Sequence, residues 1–235
     1  MAVSGTGTGG ATARTATAYR VDPRLTPGYR TCRWLFESIV GGWFHPVVRG
    51  REHIPADGPV ILAPVHRSFA DFGFNAFVTD RKLFFMAKGE LWEHRALGRL
   101  LDSLGAFPVN RLAADREALR RAEAVLAQGQ VLVLFPEGTR RTGAEVTDLL
   151  EGAAFLAART GAPVVPIGIG GSDLAMPKGR LLPRHLPISV VVGEPLPAPA
   201  RTGTGRVPRS VVHGTTEALR QAIQQVYDEA RAALP

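Results

Sequence analysis

The chain has 235 residues, 45% of them hydrophobic, which suits one domain with a full core and excludes a disordered protein. Lys and Arg number 28 against 21 Asp and Glu, a net charge of +7, which predicts an anionic partner and leaves nucleic acid, a membrane surface and phosphorylated substrates open. The single cysteine, Cys32, excludes an internal disulfide and any multi-cysteine zinc site, and is expected as a small core residue in a reducing compartment.

Residues 1–18 are rich in Gly, Ala, Thr and Ser without apolar period and read as a disordered tail. The tail holds "GTGTGG" (Gly5 to Gly10), which fits a dinucleotide-binding pattern, but no strand precedes it and no apolar helix follows, so it is discarded. The start also lacks the apolar core of a secretory signal, and no stretch reaches the roughly 18 apolar residues that cross a bilayer, so the protein is expected on the cytosolic side. Residues 19–45 form an N-terminal helical segment. Within it Leu35, Phe36, Ile39 and Val40 recur at helical spacing, Arg30 and Arg33 flank them, and Trp43 and Phe44 follow a Gly-Gly break. Its apolar side suits core packing or contact with a lipid interface.

From residue 46 to 235 short apolar runs alternate with longer helical patterns. Strands are expected at 47–50, 59–64, 83–87, 105–109, 131–135, 163–168 and 188–192, and helices at 69–79, 95–103, 113–128, 148–160 and 209–232. This alternation predicts an α/β domain, a single mixed sheet with helices on both faces. "GEPLPAPARTGTG" (193–205) reads as a linker to the last helix, whose Leu219, Ile223, Val226, Tyr227 and Ala230 make one stripe for core packing.

Four places carry chemistry. "HRSFAD" puts His66 just past a strand and Asp71 five residues on, and a carboxylate on one imidazole nitrogen leaves the other free to take a proton. "VLVLFPEGTR" ends a strand in a turn that presents Glu137, Gly138, Thr139 and Arg140, with glycine for close backbone approach and a guanidinium suited to phosphate oxygens. "GAFPVNR" places Arg111 after another apolar run, and "APVVPIGIGG" is a buried strand leaving through glycines. Ligands of open α/β sheets collect at the carboxyl ends of strands.

In this order, "HRSFAD", "GAFPVNR", "FPEGTR" and "VVPIGIGG" resemble the four blocks of the glycerolipid acyltransferase family, over about residues 45–195. The resemblance implies a bacterial 1-acylglycerol-3-phosphate acyltransferase activity, with lysophosphatidic acid as acceptor and phosphatidic acid as product. Acyl-CoA or an acyl-carrier-protein thioester is the implied co-substrate, with no cofactor or metal. His66 becomes the general base and Asp71 its orienting partner, so transfer is direct. Lys88, Arg111 and Arg140 fall to the acceptor phosphate, and Glu137, Gly138 and Thr139 to the acceptor loop. Relatives often carry lysines after the third block, where this chain has "DLLEGAAF", and they have a longer apolar start. Peripheral attachment to an anionic inner membrane surface is therefore expected. Other acceptors, glycerol 3-phosphate or another lysophospholipid, stay open, as does a non-enzymatic anionic-lipid module, which gives no reason for the His66/Asp71 pair. Aromatics are only 7% of the chain and supply no stacking platform for nucleic acid. No G-x-S-x-G serine hydrolase element is present.

Overall fold

A computed structural model describes residues 21–109, 115–177, 179–180, 182–199 and 207–234. The expected tail, the Gly5 to Gly10 stretch, Arg111 and the 200–205 part of the linker lie outside them. The element order is α1 (Pro27–Phe44), β1 (Val47–Arg49), β2 (Val60–Pro64), α2 (Asp71–Phe74), β3 (Leu83–Lys88), α3 (Arg95–Ser103), β4 (Ala106–Val109), α4 (Arg116–Ala127), β5 (Val131–Val133), α5 (Gly152–Thr160), β6 (Val164–Gly170), α6 (Ser172–Ala175), β7 (Ser189–Val192) and α7 (Arg209–Ala232).

The seven strands form one mixed sheet in the order β1-β7-β6-β2-β5-β3-β4. Five neighbours, β6, β2, β5, β3 and β4, run parallel, and β7 with β1 runs the other way. Every residue of β2, β5 and β6 is buried, as strands covered on both faces require. Each fully buried Ile, Leu or Phe in such a layer contributes about 1.5 to 3 kcal/mol. The chain runs from β2 out to β3 and β4, then returns through β5 to β6 on the other side of β2. The carboxyl end of β2 therefore sits where the direction of the windings changes, the place where open sheets leave a crevice.

Local signals account for the helix ends. Thr26 Oγ1 accepts from the Tyr29 N–H and Pro27 opens α1, while Asp115 Oδ1 accepts from the Ala118 N–H to start α4. Helix α7 lies over β6 because two glycines leave room for it: a Cβ at Gly168 would stand 2.1 Å from the Val226 carbonyl oxygen, and one at Gly170 2.5 Å from that of Ala230. The expected stripe Leu219, Ile223, Val226, Tyr227 and Ala230 is buried there.

Three expectations are corrected. The helix foreseen over 69–79 is the single turn α2 followed by a 3-10 turn at Asn75–Phe77. Arg33 ends it by donating to the Ala76, Thr79 and Arg81 carbonyls, so this cation is bound inside the fold and does not face a membrane. Helix α1 runs unbroken through Gly41 and Gly42, closed by the His45 N–H on the Gly41 carbonyl. Cys32 is exposed, because α1 buries only Tyr29 and Phe44 among its residues. Trp34, Leu35, Phe36, Ile39 and Trp43 on the same helix remain exposed.

The docking of α7 gives a paired test. Gly168→Ala should lower stability by about 1 to 3 kcal/mol or more through overpacking. Gly214→Ala, in the exposed interior of α7 with nothing within 4 Å, should raise it by about 0.8 to 1 kcal/mol. Thermal unfolding of both variants checks the sign of each.

Candidate active site

Strand β2 ends at Pro64, and the turn after it carries the expected pair. His66 Nδ1 lies 3.2 Å from Asp71 Oδ2. The same oxygen accepts from the backbone N–H groups of Arg67 and Ser68, both at 2.6 Å, which wraps the turn around a fully buried carboxylate. With Nδ1 donating to Asp71, the lone pair of the neutral imidazole sits on Nε2, which has no partner among the described residues. The amides of Arg67 and Ser68 are occupied by Asp71 and so do not serve as oxyanion donors. The His66 ring rests on Phe135, centroids 4.2 Å apart.

The backbone of His66 is held from both sides. Its N–H donates to Glu137 Oε2 at 2.7 Å, and its carbonyl accepts from the Arg141 N–H at 2.9 Å. The second Glu137 oxygen pairs with Arg67, and both side chains are wholly buried. Glu137 thus belongs to the frame behind the turn, and Gly138, Thr139 and Arg140 form the part that faces outward. Gly138 has φ +68°, a conformation open to glycine at little cost, and Thr139 and Arg140 are exposed.

Arg67 links this frame to the far side of the fold. Its Nε and second terminal nitrogen donate to the Gly143 and Glu145 carbonyls, both at 3.0 Å, and its guanidinium lies 5.1 Å from the Tyr227 ring centroid. Gln224 on α7 accepts from the Val146 N–H at 2.7 Å and donates to the Ala144 carbonyl at 3.1 Å. Burial, with Asp173 nearby, holds the Tyr227 phenol above its usual range, so it stays protonated and faces the Gly143 carbonyl at 3.5 Å. The sequence reading passed over Arg67, Gln224 and Tyr227 in this role. Their partners lie about 76 to 84 positions away, and nothing local marks them.

The parallel strands bring the other residues to the same edge. Lys88 ends β3 and is paired with Glu90 on an exposed surface. Strand β4, in register with β3 through Lys88 and Val109, ends two residues before Arg111, which is outside the described residues. Arg140 has no carboxylate partner among the described residues.

Beside the turn, a groove of about 440 Å³ runs between α1, Phe72, α3 and the β3 and β4 edge. Leu35, Phe36, Ile39, Phe72, Phe85 and Leu101 give it an apolar lining. Phe72 follows Asp71 directly, packs on Phe85 at 4.0 Å and stacks toward Phe135 at 6.5 Å, and Phe135 in turn packs on the His66 ring, so a row of aromatic rings links the groove wall to the catalytic turn. Among the described residues no group of three or more His, Cys, Asp or Glu is placed to hold a metal ion.

The model of the Acyltransferase family matches residues 45–170, more than half of the chain and the span that holds this whole turn. The chain belongs to the acyltransferase family. It is 28% identical over 200 residues to the 1-acyl-sn-glycerol-3-phosphate acyltransferase of Bacillus subtilis, covering 84% of this chain and 96% of that one. Against the similarly named protein of Chlamydomonas reinhardtii it is 30% identical over 180 residues, 74% of this chain and 53% of the relative, so it spans about half of that longer protein. The crystal structure of the 1-acyl-sn-glycerophosphate (LPA) acyltransferase PlsC from Thermotoga maritima superposes with a TM-score of 0.69 at 25% identity, over 86% of this chain and 80% of that one. The fold of this acyltransferase, built on its mixed seven-stranded sheet, matches that of this crystal structure.

Two substitutions separate frame from surface. Glu137→Ala leaves Arg67 buried and unpaired and should cost about 3 to 5 kcal/mol. Arg140→Ala should leave stability within about 0.5 kcal/mol. Denaturant unfolding of both reads the difference, and equal losses would contradict the division of roles.

Proposed function

We propose that this acyltransferase moves a fatty acyl chain from a coenzyme A or acyl-carrier-protein thioester to the free hydroxyl of 1-acylglycerol 3-phosphate, giving phosphatidic acid. The observation that carries the reading is the His66–Asp71 pair, with Nδ1 tied to a buried carboxylate and Nε2 open beside an apolar groove. Nε2 takes the proton of the acceptor hydroxyl as its oxygen forms a bond to the thioester carbonyl carbon. The carbon–sulfur bond then breaks, and the imidazolium returns its proton to the leaving thiolate. The thioester is already activated, so no serine or cysteine nucleophile enters, and Asp71 stabilises the charge on the ring throughout.

The groove supports a fatty acyl chain as cargo, since its lining matches a hydrocarbon and includes Phe72, the neighbour of Asp71. Exposed and without a carboxylate partner, Arg140 suits the acceptor phosphate, with Lys88 at the end of β3 and Arg111, two residues on from β4 in the sequence, as further candidates; Lys88 must exchange Glu90 for the phosphate to take part. The exposed outer side of α1, with Trp34, Ile39 and Trp43, supports attachment to the surface of an anionic leaflet, which holds acceptor and product. Among the described residues no helix is long and apolar enough to cross a membrane.

Purified protein given a long-chain acyl-CoA and a panel of acceptors should yield phosphatidic acid from lysophosphatidic acid in a mass-spectrometric product assay. Acylation of glycerol 3-phosphate alone would move the acceptor assignment. His66→Ala should lose on the order of 100- to 10,000-fold in turnover while remaining folded, and Asp71→Asn as much or less. Arg140→Ala should raise the acceptor KM roughly ten- to a hundredfold, the loss of one charge-assisted contact. A change confined to the donor KM would assign this arginine to the thioester instead.

A further inference from the structure

Helix α6 and the loop after it, residues 172–187, connect β6 to β7 and carry the most exposed large apolar side chain among the described residues, Leu182, at 77%. Leu174 on α6 is 58% exposed. Two contacts fix where this connection lies. Ser68 Oγ donates to the Met176 carbonyl at 2.8 Å, which joins it to the His66 turn, where Phe69 is 68% exposed. The His185 ring meets Trp43 at 5.5 Å and His45 at 6.1 Å, both edge-on, which joins it to the end of α1, where Trp43 is also exposed. Apolar groups from three separated parts of the chain are thus gathered round one loop beside the catalytic turn. Single exposed leucines are ordinary, but such a gathering next to a site marks an interaction surface.

The charge of the loop selects the partner. Between residues 172 and 187 the sequence has Lys178, Arg180 and Arg184 against the one carboxylate of Asp173. Arg180 and Arg184 are exposed and, among the described residues, neither has a carboxylate partner. Apolar side chains that project between unpaired cations fit the surface of an anionic bilayer, with the leucines below the headgroups and the arginines among the phosphates.

We propose that the 172–187 connection is a second lipid contact, next to the end of α1, which sets the His66 turn against the membrane. The inference rests on the reading of the chain as an acyltransferase that works at a lipid surface. Two contacts at different points of the surface fix the tilt of the protein, as one helix face alone does not. An acceptor can then reach Nε2 with its acyl chain still in the leaflet.

The test uses co-sedimentation of the full chain with phosphatidylcholine vesicles of rising phosphatidylglycerol content, beside turnover on a water-soluble short-chain acceptor. Leu174→Ser/Leu182→Ser should lower vesicle partition on the order of tenfold while turnover on the soluble acceptor keeps its wild-type value. Arg180→Gln/Arg184→Gln should flatten the dependence on phosphatidylglycerol by about fivefold for each arginine removed. Trp34→Ala, on the outer side of α1, should weaken partition independently, so that the two sets of changes multiply. Loop variants that bind as the wild type does would overturn the second contact and leave α1 as the attachment. A wild-type chain that does not sediment in any mixture would overturn both contacts. Absence of turnover on every acceptor, with vesicle binding intact and sensitive to the loop, would instead defeat the enzymatic reading and leave the contact standing.

Discussion

One oxygen atom organises the site. Asp71 Oδ2 draws in the backbone N–H groups of Arg67 and Ser68 and the Nδ1 of His66, and in doing so closes the turn and orients the ring. The carboxylate is fully buried, so its charge is stabilised by these donors and not by water, and removing any one of them leaves a deficit in a poorly solvated place. The geometry and the chemistry of the turn therefore share a cause. The contacts that give the backbone its shape also set which nitrogen of His66 is basic.

A second buried carboxylate repeats the principle on the other side of His66. Glu137 accepts from the His66 N–H and pairs with Arg67, and Arg67 in turn gathers the carbonyls of the loop that follows Arg140. Helix α7 completes the frame through Gln224 and Tyr227, and it reaches this position because glycines in β6 let it approach. A buried ion pair of this kind adds little net stability over an apolar packing, but it is costly to break on one side, which makes it suited to holding a unique arrangement. The last helix of the chain is thereby tied to the loop that presents Arg140, although no residue of that helix stands among the reacting groups.

The sheet was legible because each strand is a short apolar run with Gly, Pro or polar residues at its ends, and all seven lie within a few residues of where that pattern puts them. The His66/Asp71 pair was legible for a similar reason, since six residues of chain contain both the histidine and its partner. What escaped depends on contacts between distant residues. "FADFGFNAFV" is dense in apolar side chains and reads as a long helix, yet Arg33, more than 40 positions earlier, takes its carbonyls and ends it. Glu137 reads as a turn residue near a ligand until its partner Arg67 is known. For α1 the periodicity gave a helix without saying which side would be covered, and Cys32 was assigned to the core on its size alone. The glycines of "PIGIGG" did carry a usable signal, because glycine within a buried strand marks the close approach of another backbone.

The claim on which the mechanism stands is that Asp71 fixes His66 as the Nδ1–H tautomer, with the Nε2 lone pair open to the acceptor hydroxyl. Nitrogen-15 NMR of the full chain labelled at histidine, with the His66 signals assigned by their loss in His66→Ala, reads this directly at a pH where the ring is neutral. The predicted result is a protonated, pyrrole-type Nδ1 and an unprotonated, pyridine-type Nε2, with the preference weakened in Asp71→Asn. A protonated Nε2 in the wild-type protein would leave no base facing the substrate and would contradict the account.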